Sequence, residues 1–213
     1  MSLNANLIKE LREKSGAGIV DCKNALLQND NDVEKSIDWL RKKGLSVAAK
    51  KSGRVAAEGL VGVHIAENQA CLIEINSETD FVSRNEQFQK FVSDCSKIAL
   101  TTNGNLDNLL KSKFIEGDNT VEDELTKNVA TIGENLKIRR IEKITLDGPG
   151  LIVSYVHNSV SENLGKIAVV LSLKSNADHN KLDDIGKKIA MHIAASNPIS
   201  LDLDGLDPKI VDK

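Results

Sequence analysis

The spacing of the apolar residues changes near residue 59 of this 213-residue chain, and the change constrains what the chain can fold into. Up to about Lys51, apolar residues recur every three or four positions, as they do on the buried face of an amphipathic helix. Between Gly59 and Ile75 they recur at every second position, which is typical of strands with one buried face, and helical spacing returns after that. The pattern therefore predicts a helical segment followed by a sheet with packed helices, an α+β fold.

Three short helices are predicted before the change. Leu7 and Leu11 mark the apolar face of the first helix. The third is expected to begin at an Asn31 cap and to end at a Gly44 cap. Because the helical spacing ends before the first strand begins, we expect few core contacts to cross this boundary. Residues 1–52 are therefore predicted to form a separate helical domain with its linker.

A hairpin followed by a helix is predicted twice, over 59–100 and over 150–196. The agreement lies in the pattern and only slightly in residue identity, so it suggests an internal duplication. We predict two related subdomains, 53–148 and 149–213, each an antiparallel sheet with packed helices. The elements predicted between the two copies are two helices and a strand, near 106–113, 121–135 and 137–146.

Charge and composition exclude several classes of function. The chain has 28 basic and 31 acidic residues, a net charge of −3, so the basic excess of a dedicated nucleic-acid-binding domain is missing. The basic cluster at 41–54 is either a phosphate or RNA contact or a solvated helix end, and the second interpretation is favoured. No membrane-spanning run or signal peptide is recognisable. The three widely spaced cysteines are expected to be buried thiols, which persist in a reducing compartment, so the protein is predicted to be cytoplasmic.

No constellation of residues that could carry covalent chemistry is recognisable. The glycines at Gly16 and Gly18 follow no strand and precede no Lys-Ser or Lys-Thr pair, so they do not form a phosphate loop. The four histidines lack the helical spacing of a zinc site. We therefore expect a protein that is not an enzyme and that has no catalytic residue, metal or cofactor.

The loop Asn76–Val82 is the most unusual segment. Phe81 lies there among polar neighbours, outside the apolar face of the helix that follows. A loop aromatic either packs on its own core or is exposed to fill a pocket in a partner. The residues alone favour packing on the core and leave both alternatives open.

At this loop the sequence resembles the family of bacterial translation elongation factor Ts. Four motifs, in the family's order, carry the resemblance between residues 7 and 200. They are Leu11–Lys23, Glu78–Val82, Ile132–Asn135 with Ile138–Arg140, and Ile189–Pro198.

The resemblance implies a guanine-nucleotide exchange factor that binds the GTPase elongation factor Tu. Neither membrane association nor direct contact with nucleic acid is expected. It implies that the N-terminal helices form a UBA-like module that docks on the GTPase, and it allows a homodimer within a larger complex. In the family, the Asp-Phe pair enters near the partner's magnesium site. The partner-binding residues implied here are Thr79, Asp80, Phe81, Val82, Ile132, Gly133 and His157.

Two departures from the family pattern concern the second subdomain and the end of the chain. The segment Asn158–Gly165 is longer than the family's glycine-rich turn, and Ala168 stands at a usual glycine position. Asp207-Pro208 has the pattern of a helix start, so the native polypeptide is expected to continue beyond Lys213. The alternative functions are a ubiquitin-associated adaptor, on the three helices alone, and an RNA- or ribosome-binding protein, on the basic cluster.

Overall fold

The α+β prediction is confirmed. The computed structural model describes residues 5–115, 117–207 and 209. This part of the chain contains seven α-helices and six strands. The helices are α1 (Ala5–Ser15), α2 (Ile19–Gln28), α3 (Val33–Lys51), α4 (Glu86–Ala99), α5 (Leu106–Lys111), α6 (Val121–Ile132) and α7 (His179–Ser196). The strands are β1 (Glu58–Ala66), β2 (Gln69–Ser77), β3 (Lys137–Thr145), β4 (Gly150–His157), β5 (Leu164–Gly165) and β6 (Ile167–Lys174).

Helices α1 to α3 enclose a small core of their own. Leu11, Cys22, Ala25 and Leu26 are fully buried there. The predicted Asn31 cap is wrong, because the side chain of Asp32 accepts the hydrogen bond from the backbone N–H of Lys35. Asn31 instead has a left-handed backbone conformation in the turn before the cap. The three helices are therefore confirmed, but the predicted cap at the start of the third was one residue too early.

The predicted Gly44 cap is also wrong, and the reason concerns packing. α3 continues through Gly44 to Lys51, and Gly44 is buried where α3 crosses α6. A Cβ atom built on Gly44 would lie 3.7 Å from Cβ of Ala130. Ala48, one turn further along, packs against the main core. Contacts therefore cross the predicted boundary at residue 52, contrary to the expectation that few would do so.

Strands β1, β2, β3 and β5 form a four-stranded antiparallel sheet in the order β3-β2-β1-β5. β1 and β2 form the predicted hairpin around Glu67 and Asn68, with Leu60 opposite Ile75 and Ile65 opposite Ala70. Residues directly opposite each other share a face. The alternating residues of β1 (61, 63, 65) and of β2 (71, 73, 75) therefore lie on opposite faces of the sheet.

The main core lies between this sheet and α4. The predicted apolar stripe of α4 is confirmed, because each of its six residues is buried. α5 and α6 close the core from the side through Leu109, Val121 and Val129. The six stripe residues are Phe88, Phe91, Val92, Cys95, Ile98 and Ala99.

The second hairpin and helix repeat the first in element order. β4 pairs with β6, and α7 packs on both strands. Ile152 of β4 packs with Ala70 of β2 and with Leu146, which directly follows β3, so the two sheets share a small core. The predicted loop 158–165 contains an additional element, because β5 crosses over and pairs with β1. The edge of the first sheet is thus completed by residues from beyond the predicted subdomain boundary at 148.

Two predicted helix ends were too late. α5 ends at Lys111, and α6 ends at Ile132 because Gly133 adopts a left-handed conformation with φ of 85°. The predicted helix start at Pro208 lies outside the described residues. No helix in the described part of the chain is both long and apolar enough to cross a membrane.

Candidate partner-binding site

Phe81 is 77% exposed, although the residues that follow it are buried. It lies in a short 3₁₀ helix, Asp80–Arg84. Val82 and Ser83, the next two residues, are only 5% and 3% exposed. The expectation that Phe81 packs on its own core is therefore wrong. An exposed aromatic side chain on an anchored turn is typical of a protein-binding site.

Hydrogen bonds anchor the turn at its C-terminal side. The backbone N–H of Asn85 donates to the carbonyl of Val82, and the Asn85 side chain caps α4 by accepting from the N–H of Phe88 at 3.0 Å. The Ser83 hydroxyl donates to the Gly59 carbonyl of β1 at 3.2 Å. The turn is thus fastened to the start of a buried helix and to the sheet.

Val82 belongs to this anchor. It was predicted among the partner-binding residues, but its side chain packs in the main core. A side chain that is 5% exposed has little surface left for a partner. Its contribution is to hold the turn in place, while Asp80 and Phe81 are exposed.

The structure brings Thr79 together with the turn that follows α6. Glu134 accepts hydrogen bonds from the Thr79 backbone N–H at 2.9 Å and from the Thr79 hydroxyl at 2.6 Å. Glu134 comes directly after Ile132 and Gly133, two of the predicted site residues. Ile132 is partly buried against the core, whereas Gly133 is exposed. Two sequence segments predicted to act together are therefore in direct contact.

Glu78 makes a second connection between the same segments. Its carboxylate accepts the backbone N–H of Asn135 at 2.6 Å and lies 3.5 Å from the guanidinium of Arg54. The hydrogen bond from Asn135, followed by the charge of Arg54, holds the pKa of Glu78 below its usual value. Glu78 and Glu134 both lie within the motifs that carry the family resemblance, but neither was predicted to be a site residue. Nothing in the sequence indicates that each of these glutamates bonds to the segment that contains the other.

His157 lies on β4, on the other sheet. Its ring Nδ1 is 3.0 Å from the Tyr155 hydroxyl, and its backbone carbonyl accepts from the N–H of Lys166 at 3.2 Å. The Lys166 ammonium in turn donates to the Ser83 hydroxyl at 3.1 Å, inside the turn that carries Phe81. His157 is therefore connected to the turn through its backbone and Lys166, and its exposed ring is held by Tyr155.

Most of the basic cluster at 41–54 is paired within the chain. Lys43 donates to Asp21 at 2.6 Å, and Arg41 lies 3.8 Å from Asp38. Lys51 donates to the Gly133 carbonyl at 2.5 Å. These contacts favour the solvated, locally paired helix end over a phosphate-binding surface.

The described residues contain no cluster of three or more histidine, cysteine or acidic side chains that could hold a metal. Cys22, Cys71 and Cys95 are free and buried, as predicted. Burial raises the pKa of the Cys71 thiol to about 11, which keeps it protonated and unreactive.

Comparison with known proteins identifies the family. The family model described as Elongation factor TS matches residues 78–213, a range that begins at Glu78 and contains every predicted site residue. The chain belongs to the elongation factor Ts family. It is 50% identical over 212 residues to elongation factor Ts of Methylorubrum populi, covering all of this chain and 69% of the relative. It is 51% identical over 212 residues to the protein of Methylobacterium radiotolerans, again covering all of this chain, and 68% of the relative.

A third elongation factor Ts, from Rhodospirillum centenum, is 52% identical over 206 residues, which are 97% of this chain and 67% of the relative. The relatives thus match the three N-terminal helices as well as the part that the family model covers. Membership in the elongation factor Ts family assigns the chain to protein biosynthesis.

Proposed function

We propose that this protein binds elongation factor Tu and promotes the release of GDP, by inserting Asp80 and Phe81 next to the magnesium site of that GTPase. Family membership supports the class of activity. The insertion of Asp80 and Phe81 is proposed because Phe81 is 77% exposed on a turn in which the next residues, Val82 and Ser83, are buried. Solvation of such a side chain is unfavourable, and insertion into an apolar pocket of the partner removes that cost.

The proposed mechanism needs no bond to be made or broken by this chain. Binding that displaces the magnesium ion removes a positive charge that holds the phosphates of GDP. The factor then stabilises the nucleotide-free partner. Reciprocity requires that GDP weakens the binding of the factor by the same ratio as the factor weakens the binding of GDP.

The three-helix segment supplies a second proposed contact. Ile19, Val20 and Leu27 of α2 are more than half exposed, which leaves an apolar surface on the side of α2 away from its own core. We assign this surface to docking on the nucleotide-binding domain of the GTPase. The internal pairing of the basic cluster counts against RNA binding as the main activity.

Release of fluorescent GDP from elongation factor Tu tests the proposal. The intact protein is expected to accelerate release, and Phe81→Ala is expected to reduce the acceleration at least about tenfold, equivalent to about 1.4 kcal/mol. Ile115→Ala is the matched control, because Ile115 is an exposed apolar residue outside the site. Normal acceleration by Phe81→Ala would overturn the insertion of Phe81.

A further inference from the structure

Two glutamates reach in opposite directions between the Phe81 turn and the end of α6. Glu78, on the loop before the turn, accepts the backbone N–H of Asn135 at 2.6 Å. Glu134, after α6, accepts the backbone N–H of Thr79 at 2.9 Å. We call this pair of reciprocal contacts the glutamate clasp. Each segment thus supplies one carboxylate and one backbone donor to the other.

The clasp fixes the residue that directly precedes Asp80 and Phe81. Three polar groups of Thr79 are bonded: its N–H and hydroxyl donate to Glu134, and its carbonyl accepts from the Ser77 hydroxyl at 2.9 Å. Hydrogen bonds to a carboxylate are shorter and about twice as strong as those between neutral groups. With Thr79 held on one side and Val82 buried on the other, the backbone that carries Phe81 is fixed at both ends.

The clasp also includes the segment that follows the three N-terminal helices. Arg54 forms an ion pair with Glu78, and its backbone carbonyl accepts from the Asn135 side chain at 2.7 Å. Lys51, the last residue of α3, donates to the Gly133 carbonyl at 2.5 Å. The end of the helical segment and the Phe81 turn are therefore both attached to residues 133–135.

We infer that Glu78 and Glu134 are positioning residues that hold the Phe81 turn ready to bind, and that they link its position to the helical segment. The inference rests on the proposed function, because it assigns the clasp to the presentation of Phe81. A turn that is already ordered in the free protein loses less conformational entropy on binding than a mobile one. Neither glutamate needs to touch the partner for this effect.

Amide hydrogen exchange in the free, full-length protein tests whether the clasp holds the turn. Glu134→Ala is expected to accelerate exchange of the Thr79 amide at least about tenfold, because that N–H loses its acceptor. Glu122→Ala is the control, because Glu122 is an exposed carboxylate on α6. An unchanged Thr79 amide in Glu134→Ala would overturn the clasp without involving any partner.

GDP release from elongation factor Tu then tests positioning with a double-mutant cycle. In the protein that keeps Phe81, Glu134→Ala is expected to slow factor-stimulated GDP release about five- to tenfold. Combined with Phe81→Ala, it is expected to have no further effect. Thr79→Val, which removes only the hydroxyl donor, is expected to act in the same direction, and Thr79→Ser, which keeps that donor, is expected to slow release less than Thr79→Val does. The valine variant keeps the test valid if Glu134→Ala does not fold.

The outcomes separate this inference from the proposed function. If Phe81→Ala slows release but Glu134→Ala and Thr79→Val do not, the positioning role is wrong and the function stands. If Glu134→Ala slows release by the same factor with and without Phe81, the glutamate acts independently of Phe81 and the inference is wrong. If Phe81→Ala accelerates GDP release normally, the proposed insertion of Phe81 is wrong and the positioning role is wrong with it, even where the Thr79 amide shows that the clasp exists.

Discussion

At the scale of single residues, Phe81 and Phe88 differ in environment although they are only seven positions apart. Phe81 is 77% exposed, whereas Phe88 is fully buried in the main core. We expect Phe81→Ala to leave the melting temperature nearly unchanged, because little surface is lost from the core. Phe88→Ala is expected to lower the free energy of unfolding by about 3–5 kcal/mol.

Thermal and urea unfolding of the two variants measures this contrast. A large loss of stability in Phe81→Ala would mean that the side chain packs against this chain in solution. The exposure of Phe81 could not be predicted from the residues alone, because a polar loop leaves both orientations open. It depends on the burial of Val82 and on Glu134, whose contact with Thr79 spans 55 positions of the sequence.

At the scale of the elements, Gly44 tests how closely α3 packs on α6. Gly44 lies inside α3, and an added Cβ would make ordinary contact with Ala130 at 3.7 Å. Gly44→Ala should therefore fit and raise the free energy of unfolding by up to about 1 kcal/mol through its better helix propensity. Gly44→Leu is expected to be destabilising, because the larger side chain would separate the two helices. Urea unfolding of both variants checks the opposite signs.

The capping box of α6 gives a pH-dependent prediction. Thr120 and Asp123 bond reciprocally, and the hydrogen bonds from Thr120 hold the pKa of Asp123 below its ordinary value of 3.8. Thr120→Ala should cost about 1 kcal/mol at neutral pH. Because the folded-state pKa is lowered, the charged Asp123 stabilises the protein above pH 3.8, and this contribution is lost as the pH falls through the folded-state value.

This is checked by measuring the free energy of unfolding of Thr120→Ala and of the intact protein between pH 7 and pH 2. The difference between the two free energies is expected to shrink below about pH 4. Thr131→Ala is the matched control on the same helix, because the exposed Thr131 hydroxyl donates only to the Lys127 carbonyl. A difference that stays constant with pH would contradict the role assigned to the Asp123 carboxylate.

The elements show which parts of the fold the sequence specifies locally. The stripe of α4 was predicted because burial on one face leaves a direct trace in the spacing. Gly44 was misread because a glycine at a helix crossing and a glycine at a helix end have the same local signature. The strand β5 was missed because two residues are too few to show alternation, and their pairing with β1 is a contact distant in sequence.

At the scale of the whole molecule, the N-terminal helices are not independent of the rest. Gly44 lies against Ala130, Ala48 packs on the main core, and Lys51 bonds Gly133. Deletion of residues 1–52 is expected to leave a folded core whose free energy of unfolding is lower by about 2 kcal/mol, since part of α6 loses its cover. Deletion of residues 1–32, which retains α3, should have a smaller effect on the core.

Urea unfolding, monitored by circular dichroism, compares the stability of the two deletion variants with that of the intact chain. Equal midpoints for all three would mean that the contacts of α3 with α6 add nothing to the core. The same proteins, assayed for GDP release, separate loss of the docking surface on α2 from loss of the contacts at the end of α3.

The edge strand β5 has a consequence for the order in which the molecule can fold during synthesis. Gly165 pairs with Val61, and the neighbouring ion pair of Lys166 and Glu58 joins residues 108 positions apart. At about 5–20 residues per second, a ribosome needs roughly 5–20 s to make the intervening chain. Throughout that interval the outer edge of β1 lacks its neighbour, so the nascent chain passes through a stage in which a strand from another molecule could pair there.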